Sequence, residues 1–325
     1  LEIDEVNPFY LSPVREAAVF AGRGQELSYL NGLLRDSRHG VFRHGIIMGK
    51  PGLGKTSLLN MFKIMAKERG DAIVAHLDLY KTFARGGDAL DIFRGLEIEM
   101  LNQLRKIDPS LLSYSEDVFR RFTGTETGML STGSKVTLQM GLPTVGALTI
   151  EHALKRGAFS PLSLVLRSDF EELEKRAKQK GVKGIFILID DGHSINEIAE
   201  GRSVLQLLKN TFQSQEGYSM LVFGDMTTLR GFQSLHEGFT DIFERVKIEQ
   251  MNAGDALDLI KHRLDWASKR GGVAKFEEQA AQQIVRKAGG NPRRIVRYCC
   301  EAVEEARKGN HRVTLSLVKS LRISL

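Results

Sequence analysis

Two stretches of this 325-residue chain carry side chains whose types and spacing could do chemistry. The first is Gly49-Lys50-Pro51-Gly52-Leu53-Gly54-Lys55-Thr56, followed by Ser57, which fits the pattern G-x-x-x-x-G-K-[ST]. Glycines let a backbone curl so that successive amide N–H groups point at phosphate oxygens, and a helix starting here adds its positive end. Lys55 could then reach β- and γ-phosphates as a mobile cation, while the Thr56 hydroxyl ligates Mg²⁺. The second stretch, Ile185-Phe186-Ile187-Leu188-Ile189-Asp190-Asp191, is an apolar run ending in two carboxylates. Asp190 would hold Mg²⁺ through water, and Asp191 would polarise an attacking water. Adjacent strand residues point to opposite faces, which suits the two acids to different tasks. The bland alternatives are a Gly-rich turn that matches by accident and a strand that ends in solvated acids.

The elements around these stretches favour the chemical reading. Ile46 to Met48 reads as a short buried strand entering the glycine loop, and Ser57 to Arg69 as the helix leaving it. A helix over 25–34, a strand over 72–79 and a helix over 89–104 complete a strand-loop-helix-strand-helix order, which implies a parallel sheet with crossover helices. From 106 to about 168 the pattern is irregular; the alternating KVTLQMGLPTVGALTI predicts a hairpin or two strands around Gly141 to Thr144, an insertion in or elaboration of the sheet. Regularity resumes with SDFEELEKRAKQKG as helix, GIFILID as strand, a helix near SVLQLLKNTF, SMLVFGD as strand and VKIEQM as a short strand. From Ala253 onward the apolar period is close to 3.6, interrupted by turns such as KAGGNP, so the last segment reads as almost entirely helical.

Composition excludes some classes. With 42% hydrophobic and 26% charged residues the chain can bury a large core, and no apolar run approaches the roughly 20 residues of a membrane span. The first residues, LEIDEVNPFYLSP, have neither a basic nor an apolar signal region, and residue 1 is not Met. Cys299 and Cys300 are adjacent and cannot form an ordinary structural bridge, so a reducing cytoplasm is the expected compartment. His193 lacks a second His or Cys at ligand spacing and reads as a loop residue; Trp266 and both cysteines read as packing residues. The net charge of +6 and pI near 9.2 are compatible with a polyanionic partner without requiring one.

At this point the chain resembles the AAA+ and related STAND ATPases, in particular the origin-recognition and initiator-loader clade and its prokaryotic relatives. Phe20-Ala21-Gly22-Arg23-Gly24-Gln25-Glu26-Leu27 looks like that clade's F-x-G-R-x-x-E-L segment, whose backbone lies against the adenine. Gly289-Gly290-Asn291-Pro292-Arg293-Arg294 resembles its G-N-P-R signature, which would make Arg293 the residue that senses the γ-phosphate. Leu221-Val222-Phe223-Gly224-Asp225 occupies the place of the water-orienting strand tip. An Asp there would repel phosphate, so Thr227 or Thr228 could serve instead, or Asp225 could act through a water or a basic partner. Phe243-Glu244-Arg245, ahead of the last strand, resembles the box carrying an arginine that acts on a neighbouring subunit's nucleotide; a surface arginine is the alternative.

The expectation is therefore an α/β P-loop NTPase: a parallel sheet sandwiched by helices over residues 1–252, with an elaboration at about 106–168, and an all-α lid over 253–325. The resemblance implies ATP and Mg²⁺ as ligands, ATP hydrolysis, a nucleotide-driven switch or assembly, and head-to-tail oligomers if Arg245 acts between subunits. Three roles stay open: a DNA-associated ATPase of the initiation, loading, transposition or repair kind; a STAND-type signalling or defence switch working through an effector; and a nucleotide-binding scaffold with little turnover. No winged-helix element is recognisable in these residues, so a module that grips double-stranded DNA would lie outside them or in a partner such as a transposase-like or loader protein.

Overall fold

The structure, a computed structural model, describes residues 7–84, 89–109, 159–197, 201–212, 217–269, 275–309 and 312–321. Five strands, β1 (His44–Met48), β2 (Ala72–Asp78), β3 (Gly184–Asp190), β4 (Tyr218–Gly224) and β5 (Phe243–Lys247), form one sheet in the order β2-β3-β4-β1-β5. β2 runs parallel to β3 from Ala72↔Gly184 to Asp78↔Asp190, and β3 runs parallel to β4. Strands covered on both faces read as unbroken apolar runs, and β3 and β4 are buried at every residue. β5 lies at an edge and alternates in burial. The last strand therefore begins at Phe243, earlier than the expected 246. Just past its end at Lys247 the Ile248 N–H still donates to Met48 O (2.7 Å), and the Met251 N–H then donates to Gly290 O (2.9 Å). The hairpin around Gly141 and most of the 106–168 elaboration lie outside the described residues.

The helices are α1 (Gly24–Ser37), α2 (Lys55–Arg69), α3 (Leu79–Ala84), α4 (Ala89–Ile107), α5 (Phe159–Gln179), α6 (Gly201–Phe212), α7 (Met226–Leu235), α8 (Ala253–Ser268), α9 (Glu278–Ala288), α10 (Pro292–Arg307) and α11 (Leu315–Ser320). Chain contacts divide them into two compact units. One comprises Leu33–Ile46 and Ala66–Glu244. In it, Ile92, Phe93, Leu96, Met100, Leu101 and Leu104 make the buried stripe of α4. An aromatic cluster of Phe93, Phe170, Phe212 and Tyr218 joins α4, α5, α6 and β4, with Phe170 and Phe212 edge-on at 4.8 Å. β2 is the other sheet edge, and α4 covers it chemically: Gln103 accepts from the Val74 N–H (3.0 Å) and Glu99 from the His76 N–H (2.6 Å). Side-chain acceptors thus blunt an edge that could otherwise pair with another chain.

The other unit comprises Leu1–Gly32, Ile47–Met65 and Arg245–Leu325. Its core is drawn from α8, α9, α10 and α11, with Ile260, Ile284, Ile295, Cys299 and Val318 fully or nearly buried and Phe9 of the N-terminal segment inserted among them. The final segment is not purely helical, because β6 (Lys275–Phe276) and β7 (Arg312–Val313) pair as a two-stranded parallel ladder. Two residues each are too few to register as a period in sequence.

His44 opens β1, buried, with Nδ1 accepting from the Met220 N–H (3.1 Å). Burial pushes its pKa down from the ordinary 6.5 to about 4. A base held neutral in the folded state leaves the unfolded chain to bind more protons between those values, so this contribution is complete above pH 6.5 and lost as pH falls. Urea unfolding at pH 7.5 and 5.0 should show a loss of about 2 kcal/mol attributable to His44. His44→Asn, which keeps an acceptor but no titration, should remove that part of the pH dependence.

Candidate functional site

The glycine loop leaves β1 and enters α2 at Lys55, two residues before the expected helix start. Gly52 and Gly54 have φ of +81° and +90°, where a side chain is strained. At Gly52 a Cβ would also sit 2.9 Å from Asn291 Oδ1 and 3.0 Å from Arg293 Cβ. Six successive carbonyls, Gly49 through Gly54, each accept a hydrogen bond. Lys55 Nζ donates to Gly49 O (2.7 Å) and Lys50 O (3.3 Å). Asn291 Nδ2 donates to Pro51 O (3.3 Å), the Arg293 N–H to Gly52 O (3.2 Å), Arg23 Nη2 to Leu53 O (3.0 Å) and the Leu58 N–H to Gly54 O (2.9 Å).

In a planar trans peptide the N–H points opposite to the C=O. The N–H groups of Lys50, Gly52 and Gly54 meet no acceptor among the described residues. These three share peptide planes with Gly49 O, Pro51 O and Leu53 O, the carbonyls held by the side chains of Lys55, Asn291 and Arg23. Three amides turned away from their anchored carbonyls, at the positive end of a 15-residue helix, suit the oxygens of a phosphate chain.

Arg23 is the most committed of the expected ligand residues. It is buried, holds a left-handed φ of +65°, and besides Leu53 O its guanidinium donates to Glu249 O (2.6 Å) and Glu26 Oε1 (3.3 Å). Burial draws its pKa below the ordinary arginine value, with Glu26 and Asp255 opposing the shift. Gly22 beside it has φ +70°, and a Cβ there would lie 3.1 Å from Met251 Cε. Phe20, half-buried, follows a short 3-10 turn at Ala17–Val19. Gly49 packs on Ile248, Pro51 and Lys50 are exposed, and Leu53 is buried under the loop. Thr56 is half-buried in the first turn of α2, and the Ser57 hydroxyl accepts from the Val14 N–H (3.1 Å). Arg293 is exposed in the first turn of α10, its Cβ facing Gly52. Arg245 is exposed and lies within β5, not ahead of it.

The unit of Leu33–Ile46 and Ala66–Glu244 groups the acids. Asp190, buried at the end of β3, accepts from the Asp191 N–H (3.0 Å). Asp191 lies beyond the strand with φ +50°, so strand alternation does not set its direction. Gly192 follows at the start of a 3-10 turn over Gly192–Glu197, where a Cβ would lie 2.8 Å from Val222 Cγ1 and 2.9 Å from Thr228 Cγ2. Asp225 sits after β4 as the N-cap of α7: Oδ1 accepts from the N–H groups of Thr227 (2.9 Å) and Thr228 (3.1 Å), and Thr228 Oγ1 accepts from the Asp225 N–H (3.1 Å). Partial burial would raise the Asp225 pKa, but the Thr227 hydroxyl, the two amides and nearby His193 outweigh it and hold it below the usual range. The three candidates for the strand tip are thus one capping box.

Asn291 is the site residue that sequence reasoning passed over. Asn before Pro at a helix start signals a cap, and its Oδ1 does accept from the Arg294 N–H (3.2 Å). Its second bond, to Pro51 O, spans 240 positions and has no local sequence signal.

Comparison with known proteins agrees with this fold. No family model matches the chain. It is 24% identical over 329 residues to an uncharacterized HTH-type transcriptional regulator of Methanocaldococcus jannaschii, covering 98% of this chain and 72% of that protein. Among solved structures it resembles a Walker-type ATPase of Pyrococcus abyssi, with a TM-score of 0.55, 15% identity, and coverage of 96% of this chain and 74% of that one. It also resembles the ORC1 protein of Aeropyrum pernix solved in complex with DNA, with a TM-score of 0.51, 16% identity, and coverage of 96% and 66%. The chain therefore spans 66% of the length of that ORC1 protein. The fold, a five-stranded parallel α/β sheet flanked by helices, is like that of the Pyrococcus Walker-type ATPase and the Aeropyrum ORC1 protein.

Replacing Arg23 by Ala would leave the buried Leu53 carbonyl, and the partly buried Glu249 carbonyl, without that donor. Chemical denaturation should register a loss of about 2 to 4 kcal/mol, and Arg23→Lys, which cannot fork between two carbonyls, should recover less than half of it.

Proposed function

We propose that the chain binds ATP with Mg²⁺ and hydrolyses it as a nucleotide-driven switch or assembly working on or near DNA. The observation that carries this reading is the set of anchored carbonyls and outward amides between Gly49 and Gly54. The amides of Lys50, Gly52 and Gly54 hold phosphate oxygens, Lys55 exchanges its loop carbonyls for the β- and γ-phosphates, and the Phe20–Arg23 backbone lies along the adenine. Thr56 and Asp190 hold the magnesium, whose charge eases transfer of the terminal phosphoryl group. Asp191 polarises the attacking water, and Asp225, through its cap, keeps the end of β4 ordered beside it. Arg293 senses the γ-phosphate from the start of α10, and Arg245 is offered from the exposed sheet edge to a neighbouring subunit.

In this reading the functional division is a core over 1–252 and a lid over 253–325, and the protein works in the cytoplasm. No described helix is long and apolar enough to cross a membrane. The DNA part rests on the name of the methanogen relative and on the DNA complex of the Aeropyrum protein, together with the basic balance of this chain.

Calorimetry with MgATP should show stoichiometric binding that Lys55→Ala weakens by roughly a hundredfold. Asp190→Asn and Asp191→Asn should retain nucleotide while turnover falls roughly 10²- to 10⁴-fold. No heat of binding in folded wild-type protein would sink the reading, and turnover in Asp191→Asn no different from wild type would leave only a binding scaffold. Light scattering should show growth in ATP that Arg245→Ala abolishes. Duplex DNA should bind with an affinity that falls steeply with salt; failure there turns the reading to a switch that acts through an effector protein.

A further inference from the structure

Loop amides that serve as phosphate donors must be aimed by the groups that hold their peptide planes. Each of the three amides is the back face of a peptide whose carbonyl is gripped by one side chain. For Lys50 that side chain is Lys55, the first residue of α2 directly after the loop. For Gly52 and Gly54 the grips come from elsewhere in the same compact unit: Asn291 at the start of α10 and Arg23 ahead of α1.

We infer that Asn291 and Arg23 are positioning residues that aim the amides of Gly52 and Gly54, so that the N-terminus of α10 sets the phosphate-binding shape of the loop through backbone rather than through arginine charge alone. This rests on the reading of the loop as a phosphate site. The geometry at Asn291 is specific. Its Oδ1 closes the cap on the Arg294 N–H (3.2 Å), which orients the amide plane, and that leaves Nδ2 facing Pro51 O (3.3 Å). The nearby Arg293 N–H holds Gly52 O (3.2 Å), so the carbonyls of Pro51 and Gly52 are both fixed by the first turn of one helix. Gly52 must be glycine for this contact, because a Cβ would meet Asn291 Oδ1 at 2.9 Å. Gly290, with φ +72°, lets the chain pass close under Met251 O, where a Cβ would lie at 2.3 Å, and so sets Asn291 at the right height.

The dual use of Asn291 makes the idea separable from helix stability. Asn291→Asp and Asn291→Ser both retain a good cap but remove the donor to Pro51 O. In the full chain labelled with ¹⁵N-glycine, either variant should lower the heteronuclear NOE of the Gly52 amide and leave Gly54 unchanged; Arg23→Lys should do the reverse. On adding MgATP, the downfield proton shift expected at Gly52 should be roughly halved in the Asn291 variants, and the MgATP Kd should rise roughly tenfold, the worth of one well-aimed hydrogen bond. The melting temperature of the Asn291 variants should stay within about 2 °C of wild type. An unchanged Gly52 NOE in both Asn291 variants overturns the inference, as does equal loosening of Gly52 and Gly54. A Gly52-specific change in protein that takes up no ATP supports the aiming and defeats the ATP reading instead.

Discussion

The loop from Gly49 to Gly54 depends on an accounting rule: a backbone carbonyl taken from water must find a donor, and in a planar peptide the choice of donor fixes where the next N–H points. Here all six carbonyls find one, from Lys55 and Leu58 nearby and from Arg23, Asn291 and Arg293 far away in sequence. The positive φ values at Gly52 and Gly54 are the conformational price of that arrangement, and glycine is the residue for which it is small. A bare glycine-rich turn would be a mobile ensemble. Anchored this way, it becomes a fixed array of donors at the start of α2.

The same rule explains why one compact unit is assembled from three separate stretches of chain. Residues 7 to 20 run as a strap that joins the helices of the final segment to the helix after the loop. At one end Phe9 inserts beside Phe276 (5.6 Å between centroids), and the buried Arg263 donates to Pro8 O (2.8 Å) with its guanidinium 4.9 Å from the Tyr10 ring centre. A buried guanidinium that meets no carboxylate among the described residues is tolerable when carbonyls and an aromatic face receive it, although burial still lowers its pKa. At the other end the Val14 N–H donates to Ser57 Oγ, and Val14 O accepts from Asn60 Nδ2 (2.8 Å). Ser57, an expected nucleotide contact, therefore spends one acceptor lone pair of its hydroxyl on the strap and keeps its O–H as a donor.

Local signals were legible in the sequence, and long-range ones were not. The glycine loop, the buried runs of β3 and β4, and the 3.6 period of α8 to α10 are each written within a dozen residues, and the structure has them where the pattern puts them. Strand ends are harder: β5 runs from Phe243 to Lys247, and the residues after it bond to Met48 and to Gly290, partners distant in sequence. Asp191 reads as a strand residue by composition, yet its φ of +50° follows from a turn packed too tightly for alternation to continue. Asn291 and Arg23 belong to motifs visible in the sequence, but their bonds to the loop depend on tertiary placement that no short window contains.

Asp225 shows how a charge that looks misplaced in sequence can be stable where it stands. A carboxylate at the tip of a strand expected to face phosphate would be repelled if it were bare. In the structure its Oδ1 receives two amides and the Thr227 hydroxyl, at the positive end of α7, and these donors favour the ionised form. The cap also fixes Thr228, whose Cγ2 lies against Gly192 so closely that a Cβ on the glycine would be 2.9 Å away. Gly192 in turn follows the left-handed Asp191, whose N–H is held by Asp190. The end of β4, the start of α7 and the turn after β3 thus interlock through Thr228 and Gly192, so the cap that satisfies one carboxylate also holds the backbone that carries the other two.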